Sequence, residues 1–123
     1  MDVNIPEVRA EMERVFARYE RALVTNDIAT LNEMFWRSPL TMRFVFGTAE
    51  YGYDAIAGSR MRVPAVDLAR ALERTIITTY GRDVATAATE FTRTESGRRG
   101  HQSQTWVRMG DGWKVVAAHV AWA

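Results

Sequence analysis

The chain has 123 residues, of which 47% are hydrophobic and 25% charged, with a formal charge of +1. That is enough apolar content for one domain with a real core, and it excludes a disordered segment and an electrostatic nucleic-acid surface. With no cysteine and only two histidines, disulfides and thiolate metal sites are excluded and a zinc site is not expected.

In chain order, the apolar residues from Pro6 to about Phe35 fall at helical spacing: Val8, Met12, Val15, Phe16, Tyr19 and Leu23. Asn4 is placed to cap this helix, with Pro6 in its first turn and Glu7 completing a capping box. The longest helix is expected over about residues 5 to 25. Asn26 or Asp27 breaks and caps again, and Ile28, Leu31, Met34 and Phe35 form a short second stripe. Pro39 turns the chain into a first strand in "RSPLTMRFVFG". A third helix, "GYDAIAGSRMRV", ends at Pro64. "RALERTIITTYG" and "RDVATAATEFTR" are strand-like, and a final hairpin joins "HQSQTWVR" to "GWKVVAAHV" through Gly110-Asp111-Gly112. No repeat, linker or low-complexity segment appears, so residues 1–123 read as a single domain. No apolar run has spanning length and no leader pattern opens the chain, which makes the cytoplasm the expected compartment. Helices followed by alternating strands give an α+β domain: a cone-shaped, curved antiparallel sheet covered by the N-terminal helices, with room for a small pocket.

Several stretches carry a resemblance. "FARYERALVTNDIATLNEMFW", "YGYDAIAGSR", "TTYGRDVATAATEF", "QSQTWVR" and "GWKVVAAHV" are similar, in order and spacing, to the AtzH-like (oxalurate-catabolism, HpxZ-like) family. That family lies in the SnoaL-like branch of the nuclear transport factor 2-like superfamily. The resemblance implies a role in breaking down carboxylated ureas or oxalurate-type amides beside an amidase-signature partner enzyme. It also implies that Tyr19 and Arg43 carry the activity and that the convex sheet face forms a homodimer. The family pattern has an arginine before "QSQTW" and an acidic residue five positions after the strand arginine; here these are His101 and Thr48, both expected near the pocket.

The residues have their own logic. Arg43 lies in an otherwise apolar strand, and a guanidinium there needs a partner. It either forks a substrate carboxylate or pairs with a side chain such as Glu90. Tyr19 lies on the helical stripe, either as core or with its phenol turned inward to meet a carbonyl. His119 is either a proton shuttle or a satisfied core histidine. A two- or four-residue hairpin loop puts Gln102, Gln104 and Trp106 on the face of His119; a three-residue loop puts Ser103 and Thr105 there. The resemblance favours the first arrangement. Gln104 would then bind a urea-like group and Trp106 would wall a planar one. Glu90 is the carboxylate placed to activate water, unless it pairs with Arg43 or faces solvent. Trp36, Tyr51, Tyr53 and Arg60 either line the mouth or pack the third helix on the sheet. Two functions follow: a small cofactor-free hydrolase or amidase, or a non-catalytic subunit that holds such a metabolite for a partner amidase. Val107, Val116, Ala118 and Val120 are expected on one exposed face, the homodimer surface.

Overall fold

The computed structural model describes residues 1–123. Three helices, α1 (Pro6–Val24), α2 (Ile28–Met34) and α3 (Tyr53–Arg62), accompany six strands. The strands are β1 (Met42–Val45), β2 (Thr48–Tyr51), β3 (Arg70–Tyr80), β4 (Val84–Arg93), β5 (Arg99–Met109) and β6 (Gly112–Trp122). They form one sheet in the order β2-β1-β6-β5-β4-β3. Every neighbouring pair is antiparallel except β1 with β6, which run parallel. The chain is therefore an α+β domain with a mostly antiparallel curved sheet. No helix is long and apolar enough to cross a membrane.

The helical stripe of α1 does what its spacing dictates. Val8, Met12, Phe16, Tyr19 and Ala22 are buried against a core that includes Leu31, Met34, Phe35, Ile56, Trp106 and Val115. Each large apolar side chain removed from water contributes roughly 1.5–3 kcal/mol. The start of α1 differs from the expected capping box. Ile5 is the capping residue and makes no side-chain cap, while Pro6 occupies the first turn. Asn4 instead adopts a positive φ of 57°. Its N–H donates to Thr79 O, and its Oδ1 accepts from Thr79 N–H, each at 2.9 Å. These two bonds tie the N-terminal segment to β3. At α2 the expectation holds for Asp27, whose carboxylate accepts from the Thr30 N–H at 3.2 Å.

Two local features set the faces of the sheet. β1 and β2 are joined by a two-residue turn at Phe46-Gly47, both with positive φ, as a tight hairpin requires. Phe46 is held there by its N–H bond to Val120 O at 2.8 Å and by stacking on Trp122 at 4.2 Å. The second feature lies between β5 and β6. Their turn is two residues long, with Met109 opposite Gly112 and Trp106 opposite Val115, but Thr105 then lies opposite Ala117. Val116 is an extra residue, a β-bulge, and it inverts the alternation of everything after it.

Candidate functional site

The inner, helix-covered face of the sheet is laid out in rows. Arg43 lies beside Ala118, which faces Gln104, which faces Ala87. The next row runs Val45, Val120, Gln102, Thr89. Gln102, Gln104 and Trp106 are all buried on this face. Gln104 accepts from the Trp106 indole N–H at 3.1 Å, which satisfies a fully buried tryptophan.

Arg43 does have a carboxylate partner, and it is Glu50, directly opposite on β2. Arg43 Nε donates to Glu50 Oε1 at 2.6 Å; the side chains are 15% and 6% exposed. The attraction in so shielded a pair is stronger than at the surface, but the lost hydration of both charges offsets it; the firm consequence is that removing either partner strands the other charge. Arg60 of α3 comes down on the same region. Its Nη1 donates to Asn32 Oδ1 at 2.6 Å, and its guanidinium lies 4.6 Å from the centre of the Phe35 ring. Its Nη2 is buried and has no partner. Burial pushes the Arg60 guanidinium below its usual value. The Arg43 charge pushes the same way, while Tyr19, Tyr53 and Glu50 oppose it. Tyr19 stands over this group from α1. Its ring meets Trp106 edge-on at 5.8 Å and Phe35 at 6.4 Å, so Phe35 touches both Tyr19 and Arg60. Tyr53 donates its hydroxyl proton to Asn32 O at 3.2 Å and steadies the residue that holds Arg60.

Tyr19, Arg43, Arg60 and Gln104 are thus brought to the inner face together. Four other expected site residues are not. The Val116 bulge places His119 opposite Ser103, on the outer face, so it does not share a face with Gln102, Gln104 and Trp106. Glu90 lies opposite His101 and Arg74, also outside. Arg74, Ile76, Glu90, His101, Ser103 and His119 line an outer trough of about 490 Å³. His101, one of the departures from the family pattern, therefore lies away from the inner cluster. Tyr51 is 68% exposed and meets Phe44 edge-on at 6.1 Å. Phe44 in turn meets His119. Trp36 is half-buried beside the start of β6, with its N–H donating to Val115 O at 3.0 Å. It lines a surface hollow with Asn32, Glu33, Asp111 and Lys114. Trp106 is itself fully buried and serves as a floor under Tyr19.

Glu50 and Asn32 are the members of the cluster that sequence reasoning missed. Glu50 lies on β2, the strand hidden by the Phe46-Gly47 turn. Phe46 is a poor residue for a positive φ, so the turn carried little signal beyond Gly47. The inner cluster holds two guanidiniums and one carboxylate. One positive charge is left over, in a place where water is largely excluded.

Comparison with known proteins gives a consistent picture. The model of the AtzH-like family matches residues 1–123. A protein of unknown function from Pectobacterium atrosepticum is 49% identical, with a TM-score of 0.96 over 99% of this chain and 95% of that one. A cystatin-like fold protein from Burkholderia xenovorans is 45% identical, with a TM-score of 0.94 over 99% of this chain and 96% of that one. A nuclear transport factor 2-like protein from Salmonella enterica, 22% identical over 94% of this chain and 91% of that one, shares the fold with a TM-score of 0.72. No curated protein matches.

Proposed function

The chain belongs to the AtzH-like family, and from that premise we propose that it is a small hydrolase acting on a carboxylated urea or an oxalurate-like amide. The observation that carries this reading is the buried group of Arg43, Glu50, Arg60 and Tyr19 on the inner sheet face. Two guanidiniums against one carboxylate leave a single excess positive charge, which a carboxylate ligand neutralises. Arg43 uses Nε on Glu50, which leaves its two Nη groups to fork that carboxylate. The unpartnered Nη2 of Arg60 is a further donor for it. A ligand held this way presents its amide carbonyl beneath the Tyr19 phenol.

In this reading Tyr19 donates a hydrogen bond to the carbonyl oxygen as water adds to the carbon, and the proton that the water gives up passes to the nitrogen as the C–N bond breaks. Glu90 and His119 lie on the outer face, which leaves Glu50 as the carboxylate beside the site. Glu50 positions the water through the oxygen that Arg43 does not occupy. The second reading, a non-catalytic subunit that presents the same ligand to an amidase-signature partner, is favoured by the firm Arg43–Glu50 pair, which ties up the one available base. Product analysis separates the two. Pure protein mixed with a panel of carboxylated ureas and oxalurate is expected to release ammonia or the shortened amide. Binding without product supports the accessory role, and neither binding nor product removes both.

A further inference from the structure

A second polar group on the inner face is built around Gln102, whose row adjoins that of Arg43, and the proposed chemistry does not use it. Arg70 of β3 has a side chain only 1% exposed. Its Nε donates to Glu20 Oε2 at 2.9 Å and its Nη2 to Glu20 Oε1 at 2.7 Å, a two-pronged pair reaching from the sheet to α1. The same Nη2 donates to Gln102 Oε1 at 3.1 Å, and the guanidinium lies 4.5 Å from the centre of the Phe91 ring.

The consequence falls on Gln102. Arginine has only donors to offer, so Arg70 fixes the carboxamide oxygen toward itself and turns the NH₂ away. That NH₂ is buried and has no partner, on a side chain 7% exposed. Flipping the amide would not help, because it would set a donor against a donor. A buried, unsatisfied donor is costly and rare. Here a packed ion pair holds it in that state, on the face and strand of Gln104.

We propose that Gln102 is a second anchor for the ligand, donating its Nε2 hydrogen bond to an uncharged carbonyl oxygen at the end remote from the carboxylate. The proposal rests on the carboxylated urea or amide reading above and narrows it. The cation that touches Gln102 is already neutralised, because Arg70 is paired with Glu20 through two bonds. A second carboxylate placed there would be buried without a counter-charge. The ligand class is therefore a single negative charge at one end and a neutral amide or urea group at the other. Arg70 and Glu20 are positioning residues that act through Gln102.

The test is Gln102→Glu, which keeps an oxygen for Arg70 but removes the donor. Calorimetry with oxalurate is run on wild type, Gln102→Glu and Arg43→Lys, with a melting curve for each. Gln102→Glu is expected to melt below wild type, because it buries a carboxylate beside an Arg70 already paired with Glu20. Gln102→Met, uncharged and without the donor, is therefore run beside it, and both are expected to bind oxalurate at least about tenfold more weakly. A purely structural glutamine predicts wild-type affinity for Gln102→Met, which carries no charge to repel the ligand. If Gln102→Met binds as wild type while Arg43→Lys weakens, the ligand reading stands and the Gln102 assignment is wrong. If wild type does not bind oxalurate, the ligand reading fails, and NMR of the Gln102 side-chain amide with acetamide as a neutral carbonyl probe decides the assignment alone. Shifted amide signals support it; unmoved signals overturn it.

Discussion

At the scale of single residues, the site depends on Arg43 having a partner that leaves its terminal nitrogens usable. Glu50 meets that need through Nε alone. Glu50→Gln should abolish turnover under the catalytic reading, and it should also lower stability, because it leaves Arg43 charged and unpaired. Product formation and thermal melting measure the two effects separately. Away from the site, Gly100 is set by sterics. A Cβ there would lie 2.2 Å from Cζ of Phe91, a ring only 1% exposed. Gly100→Ala must displace Phe91 and the Arg70 guanidinium stacked on it, at a cost of about 1–3 kcal/mol, readable in denaturant unfolding. Glu11 carries a pH dependence. A hydrogen bond from Arg108 and another from Trp113 hold its carboxyl below the ordinary value of 4.5. The folded state therefore favours the ionised form. That contribution is present above the ordinary carboxylate range and is lost as pH falls through the lowered folded value. Glu11→Gln should melt lower than wild type near neutrality, and the gap should close on acidification. A gap that is constant with pH contradicts this assignment.

At the scale of elements, the Val116 bulge decides which side chains meet the ligand. Removing one residue there returns the strict alternation: His119 moves inward, and Ala118 and Val120 move out of the interior. Deleting Val116 should strongly destabilise the domain, whereas Val116→Ala should shift the melting temperature little, since the residue count matters more than its side chain. The same bulge explains what the sequence could convey. The stripe of α1 and the alternation of β3, β4 and β5 are properties of periodicity, and they were legible. A bulge adds one residue without a compositional mark, so the face of His119 was not. The β1–β2 turn uses Phe46 at positive φ where Asn or Asp would have announced a hairpin. β2 was therefore missed, and with it Glu50, and the water-activating role fell to Glu90 by default. Arg43, Tyr19, Arg60 and Gln104 were legible because a charged or polar residue on an apolar face draws notice wherever the chain places it.

At the scale of the whole molecule, the outer sheet face remains to be covered. Ala118 and Val120, expected on that face, lie on the inner one. The outer face presents Ile76, Phe44 and Val84, which are 49%, 36% and 37% exposed, around the trough that holds Glu90, His101 and His119. We expect a second copy of the chain there, so light scattering should give twice the 14.0 kDa of the protomer and Ile76→Asp should shift it toward monomer; a wild type that stays monomeric at micromolar concentration contradicts this. The central claim is that Arg43 and Tyr19 do different jobs in one inner site. Steady-state kinetics of wild type, Arg43→Lys and Tyr19→Phe on one carboxylated urea test it most directly. Arg43→Lys should raise KM about ten- to a hundredfold, because lysine keeps the charge but loses the fork. Tyr19→Phe should leave KM near wild type and lower kcat at least about a hundredfold. An unchanged KM for Arg43→Lys, or a wild-type kcat for Tyr19→Phe, would contradict the account.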